Sequence, residues 1–243
     1  MIYFEQFNDV FNTVMALNGF SEYATEQHSR MFYALTEHML DTNEKMNLTA
    51  IKEVPAVILL HYADSLTAAR FLPQNACVAD IGCGAGFPCL PLAICRPDLS
   101  ILALDSTEKR IRYVVETASM LNCTNLTAVA MRAEVGGQGE HRERFDVCTA
   151  RAVAALPLLC ELCLPFVKLG GTFLAMKAKK GEEELKEAQT AIKRLGGECA
   201  ALHPIKLVHG DREEERILIE IKKISHTPPE FPRPWAKILK RPL

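Results

Sequence analysis

The sequence predicts an α/β fold: a mostly parallel sheet covered by helices on both faces, a C-terminal antiparallel hairpin, and a block of helices in front. Three observations carry this. From Cys77 onward, short apolar runs alternate with amphipathic stretches of helical length. The run Val78-Ala79-Asp80-Ile81 ends in Gly82-Cys83-Gly84-Ala85-Gly86-Phe87-Pro88, which reads as a strand, a tight glycine turn and a helix start. Asp105 then closes a second apolar run, Ile101 to Leu104, one helix and one strand further on.

Taken in order, Phe4, Phe7, Phe11 and Val14 repeat at helical spacing, with Asn18-Gly19 as a stop. A second helix is expected over about 25–45, with Phe32, Leu35 and Met39 on one face, and a third over about 54–71. Such stripes predict packing. On the third helix, His61 and Asp64 lie one turn apart and could orient a substrate, although a His beside an Asp is more often simply hydrogen-bonded. Strands follow at about 77–81, 100–105, 126–130, 145–150 and 171–177. Helices are expected at about 87–95, 108–121, 155–165 and 182–195. The last has Glu182, Glu183 and Glu184 in its first turn and Lys193 and Arg194 in its last, which suits the macrodipole. Strands at about 199–208 and 214–223 flank the polar turn His209-Gly210-Asp211-Arg212. The organisation expected is an N-terminal helical cap (1–75), a ligand-binding α/β domain (76–224) and a basic, Pro-rich tail (225–243).

Composition narrows the classes. A chain of 243 residues with 49% apolar residues can build a full core. Its apolar runs fall short of the ~20 residues that span a bilayer, and the N-terminus lacks a basic region followed by an apolar one, so neither membrane span nor signal peptide is expected. Nine cysteines without an export signal predict reduced thiols in the cytoplasm. Cys160-x-x-Cys163 has ligand spacing but no second pair, and both lie in an apolar helical stretch, so no metal is expected. Net charge is −2, yet residues 222–243 carry +5 and the remainder −7. An acidic body argues against non-specific nucleic-acid binding, while the basic tail leaves room for a phosphate-bearing partner.

The glycine spacing is G-x-G-x-G after an aspartate. It is neither the G-x-G-x-x-G of pyrophosphate binders nor a loop ending in Gly-Lys-Ser/Thr. Gly82, Gly84 and Gly86 allow backbone N–H groups to approach a nucleotide-like ligand. S-adenosylmethionine has no pyrophosphate and carries an α-amino group that suits Asp80, while Asp105 is placed to take ribose hydroxyls. Ligands in such sheets sit at the carboxyl ends of the strands, which collects Asp80, Gly82, Asp105, Ala133, Glu134 and Arg151 on one rim.

With the sheet in place, the chain resembles the RsmG (GidB) family of small-subunit ribosomal RNA guanine-N7 methyltransferases. The segments that carry the resemblance are Asn47-Leu48-Thr49, His61-x-x-Asp64-Ser65, Asp80 to Pro88, Leu104-Asp105-Ser106-x-x-Lys109-Arg110, Arg132-Ala133-Glu134, Thr149-Ala150-Arg151-Ala152, Ala175-Met176-Lys177 and the Pro232-Arg233-Pro234 tail. Cys89 stands where the family usually has Gly, and the tail lacks its usual Gly. The resemblance implies a class I (Rossmann-like) methyltransferase sheet. It also implies S-adenosylmethionine as donor, with S-adenosylhomocysteine as product, and a guanine of 16S rRNA, usually numbered 527, as target. The donor contacts it implies are Gly82, Phe87, Ala133, Glu134 and Arg151, with Arg151 also positioning the reaction. RNA contacts are expected at Lys109, Arg110, Lys177, Arg233, Lys237, Lys240 and Arg241. The partner implied is 16S rRNA or the small ribosomal subunit, met by a monomer. A small-molecule methyltransferase would share the donor site but would not need the cationic tail. A non-catalytic assembly factor retaining the fold would fail a methyl-transfer assay.

Overall fold

The computed structural model describes residues 3–243. Helices α1 (Phe4–Leu17) and α2 (Glu26–Met46) come first, α2 capped by the Thr25 hydroxyl, which accepts from His28 N–H. The expected third helix is not continuous. It splits into α3 (Val54–Val57), a π-helical turn (Ile58–Ala63), α4 (Asp64–Leu66) and a 3-10 turn (Ala69–Phe71). Every residue of the π turn is buried, and such turns shift the side chains that follow them off the ordinary helical face. Rings tie this layer together: Phe11 meets Phe32 at 5.1 Å between centroids, and Phe32 meets Tyr62 at 4.6 Å.

The strands and helices then alternate: β1 (Cys77–Ile81), α5 (Cys89–Cys95), β2 (Ser100–Asp105), α6 (Glu108–Met120), β3 (Leu126–Ala130), α7 (Ala133–Gly136), β4 (Phe145–Arg151), α8 (Leu156–Cys163), β5 (Val167–Ala178) and α9 (Gly181–Arg194). The hairpin is β6 (Gly197–His209) and β7 (Arg212–Lys223), and α10 (Trp235–Lys240) closes the chain. The seven strands run in the order β3-β2-β1-β4-β5-β7-β6, with β1 to β5 parallel and β7 antiparallel to both its neighbours. The last three strands are longer than their apolar runs suggested.

Side chains alternate across the sheet and so feed two cores. Val78, Ala103, Val147, Leu174 and Leu218 pack with α1, α2, α5 and α6 on one face. Ala79, Leu104, Cys148, Phe173 and Ile219 pack with α8, α9 and α10 on the other. The N-terminal helices therefore form a layer of the main core. Among the described residues, no helix is long and apolar enough to cross a membrane.

Candidate active site

The glycine turn is held from one side by β2, because Gly82 and Cys83 N–H both donate to the Leu104 carbonyl at 2.7 and 2.9 Å. Gly82, Gly84 and Gly86 all have positive φ, at 72°, 56° and 87°. At Gly86 a Cβ would lie 2.3 Å from Leu90 Cδ1, so this glycine serves helix packing and does not line the cavity. At Gly84 a Cβ would meet only the Gly82 carbonyl at 3.9 Å and would project into open space. That space is a cavity of about 440 Å³ at the carboxyl ends of β1, β2 and β4. Gly82, Gly84, Phe87, Asp105, Ala133, Glu134 and Arg151 line it, together with His61, Met131, Leu162 and Trp235.

The two strand-end aspartates have different fates. Asp105 faces the cavity; its Oδ2 accepts from Gly84 N–H at 3.1 Å, its Oδ1 from Thr107 N–H at 2.8 Å, and Arg110 lies 3.6 Å away. Asp80, also expected at the donor, sits beneath the turn and does not line the cavity. Its oxygens accept from Thr149 Oγ1 at 3.0 Å and from Cys89 N–H at 3.2 Å, fastening β1 to β4 and to the start of α5. Burial pushes its carboxyl up to about 6, offset by those hydrogen bonds.

At the end of β4, Arg151 is fixed from the helical layer. It donates to the Leu60 carbonyl at 2.8 Å and to Asp64 Oδ2 at 2.9 Å, and its guanidinium lies over the Phe87 ring. Asp64 Oδ1 accepts from Arg216 Nε of β7 at 3.2 Å. His61 stacks on Phe87 at 4.5 Å, and its Nε2 is 2.9 Å from Thr49 Oγ1. Burial and the neighbouring Arg151 cation depress its pKa to about 3, so the imidazole is neutral near pH 7. A second cavity, of about 570 Å³, adjoins the first at His61, Arg151 and Ala152, and is lined by Asp64, Met176, Lys177 and Arg216.

The expected RNA contacts divide. Arg233 makes a two-pronged ion pair with fully buried Glu161, at 2.7 and 2.6 Å, and so anchors the tail. Lys177 is also engaged, with the Ala154 carbonyl at 2.9 Å and Glu184 at 2.7 Å. Lys109, Lys237, Lys240 and Arg241 are exposed, and Arg110 leans toward Asp105. Cys160 and Cys163 are buried free thiols whose ionisation burial suppresses.

A family model described as rRNA small subunit methyltransferase G matches residues 28–213. A protein named Ribosomal RNA small subunit methyltransferase G from Macrococcus caseolyticus is 43% identical over 221 residues, covering 90% of this chain and 92% of its own. One of the same name from Geobacillus kaustophilus is 43% identical over 238 residues, covering 96% and 98%. The chain belongs to this family. At the level of fold alone, it resembles M. jannaschii TYW2, solved in complex with AdoMet (TM-score 0.54, 15% identity, 66% of this chain and 75% of that one). It likewise resembles a putative methyltransferase from Bacillus halodurans (TM-score 0.51, 16% identity, 67% and 100%).

S-adenosylmethionine is the cofactor of this family. The residues present fit it: Gly84 leaves the space a ligand needs, Asp105 offers a carboxylate beside that space, and Met131, Ala133 and Leu162 form an apolar end. Sequence reasoning missed Met131, Leu162 and Arg216, and did not foresee that Trp235 of the tail would line this cavity. Met131 and Leu162 are readable only as core residues, and no local pattern marks Arg216.

Proposed function

We propose that this protein transfers the methyl group of S-adenosylmethionine to N7 of a guanine in 16S ribosomal RNA, at the nucleotide usually numbered 527. The observation that carries the reading is the junction of the two cavities at Arg151 and His61 in a member of this family. The donor, when bound, supplies an electrophilic sulfonium methyl. Guanine N7 offers an in-plane lone pair and carries no proton, so its attack needs no general base. The junction suits that chemistry, because its one imidazole, His61, is a very weak base with both ring nitrogens beside polar partners.

What the residues supply is placement. Asp64 holds Arg151 and Arg216 in one arrangement, so the wall between the cavities is rigid. Alignment of this kind contributes up to ~7–11 kcal/mol in well-oriented reactions. The second cavity admits the acceptor base, unstacked from its RNA. The exposed tail cations meet RNA outside.

Mass-spectrometric mapping of 16S rRNA from cells with and without the gene tests the reading. One N7-methylguanosine should disappear with the gene and return when purified protein and donor are added to subunits. Retention of every N7-methylguanosine overturns it. Asp105→Ala should weaken donor binding by about 1.5–3 kcal/mol as its charge-assisted hydrogen bonds disappear.

A further inference from the structure

The single tryptophan of the chain lies in the C-terminal tail, yet it lines the donor cavity. Its position is set by anchors on both sides. Before it, Phe231 is buried, and Arg142 donates to the Thr227, Pro228 and Phe231 carbonyls at 2.6 to 3.2 Å. Arg233 is locked to Glu161 of α8, and after Trp235 the side chain of Ile238 is fully buried against the second core. Trp235 is the first residue of α10 and is itself only partly buried.

The cavity has two unlike ends. His61 and Arg151 stand at one, with Phe87 covered by the stacked His61 ring. At the other, Leu162 belongs to the second core, and Met131, Ala133 and Trp235 pack against that core. Asp105 lies at the end of β2 on the cavity wall. A nucleoside held at Asp105 by its ribose has one flat apolar part, the adenine, and that part suits the apolar end. Trp235 is the only aromatic ring lining that end among the described residues, and its indole has a partly uncovered surface.

We propose that Trp235 forms the wall on which the adenine of the methyl donor stacks, so that the docked tail is a part of the donor site. This rests on the donor reading above. It also implies that the tail must be docked for tight donor binding.

The test uses the full chain and its own fluorescence, with S-adenosylhomocysteine as ligand and calorimetry alongside. Titration should change tryptophan emission saturably, with the same midpoint as the heat of binding. 5′-Methylthioadenosine should change it too, while free methionine should not. Trp235→Ala should weaken S-adenosylhomocysteine binding about tenfold, within the range for base–aromatic stacking, and Trp235→Phe should restore most of it. Because Trp235 is partly exposed, both variants should melt close to wild type. Calorimetric binding with unchanged emission, or wild-type affinity in Trp235→Ala, overturns the proposal and leaves the donor reading standing. No calorimetric binding at all overturns both.

Discussion

The two ends of the chain trade the roles that their composition suggests. The N-terminal helices carry apolar stripes and read as packing, yet they deliver His61 to both cavities and Asp64 to Arg151. The C-terminal tail carries cations and reads as an RNA arm, yet Arg233, Phe231 and Ile238 fasten it to the body. An apolar stripe records burial but says nothing of the polar residues carried beside it. A cation records charge but says nothing of what neutralises it.

The largest effect expected is at the tail. Arg233→Ala leaves Glu161 buried without its partner, which should cost about 3–5 kcal/mol of stability in denaturant melts. An RNA arm would cost none, so an unchanged midpoint would return Arg233 to the substrate. At the other end, Asp64→Ala removes the carboxylate shared by Arg151 and Arg216. A destabilisation of about 1.5–3 kcal/mol is expected. Methyl transfer to subunits should fall by up to about 100-fold, because Arg151 is no longer held in place. If donor affinity falls as far as transfer does, the helical layer supports the donor site alone.

His61 adds a pH signature to the contrast between the two ends. Its folded pKa of about 3 lies below the ordinary 6.5, so the unfolded chain binds the extra proton first as pH falls. Its contribution is complete above pH 6.5 and declines progressively toward pH 3. Between pH 7 and 5 that decline is about 2 kcal/mol. His61→Gln should flatten the stability profile in that window; an equally steep profile in the variant would assign the acid sensitivity to other groups. The smallest effect on stability is expected from replacing Lys237, Lys240 and Arg241 together with Ala, within about 0.5 kcal/mol. Donor affinity should hold. The log-affinity against log-salt slope for subunit binding should flatten by ~0.7–0.9 for each RNA phosphate that the tail no longer neutralises. Identical slopes would leave the tail with an anchoring role only.

The succession of strands and of the longer helices, the glycine turn and the carboxylate at Asp105 are legible in the chain alone, whereas the short helices α7 and α10 and the break in the third helix are not. The legible features depend on local chemistry: periodicity, positive φ, and a strand end a fixed helix and strand away. The bounds of β1, β2 and β3 are readable to the residue, because short apolar runs between turns have few registers to choose from. What the polar groups do is settled in three dimensions. Asp80 and Asp105 look alike in the chain, but the parallel register sets Asp80 opposite Thr149 under the turn, while Asp105 meets the cavity. Asp64 and Arg216 are 152 positions apart, and Glu161 and Arg233 are 72 apart. A buried charge must find its counter-charge or hydrogen bonds in space, and nothing in the neighbouring residues says where the folded chain will bring them.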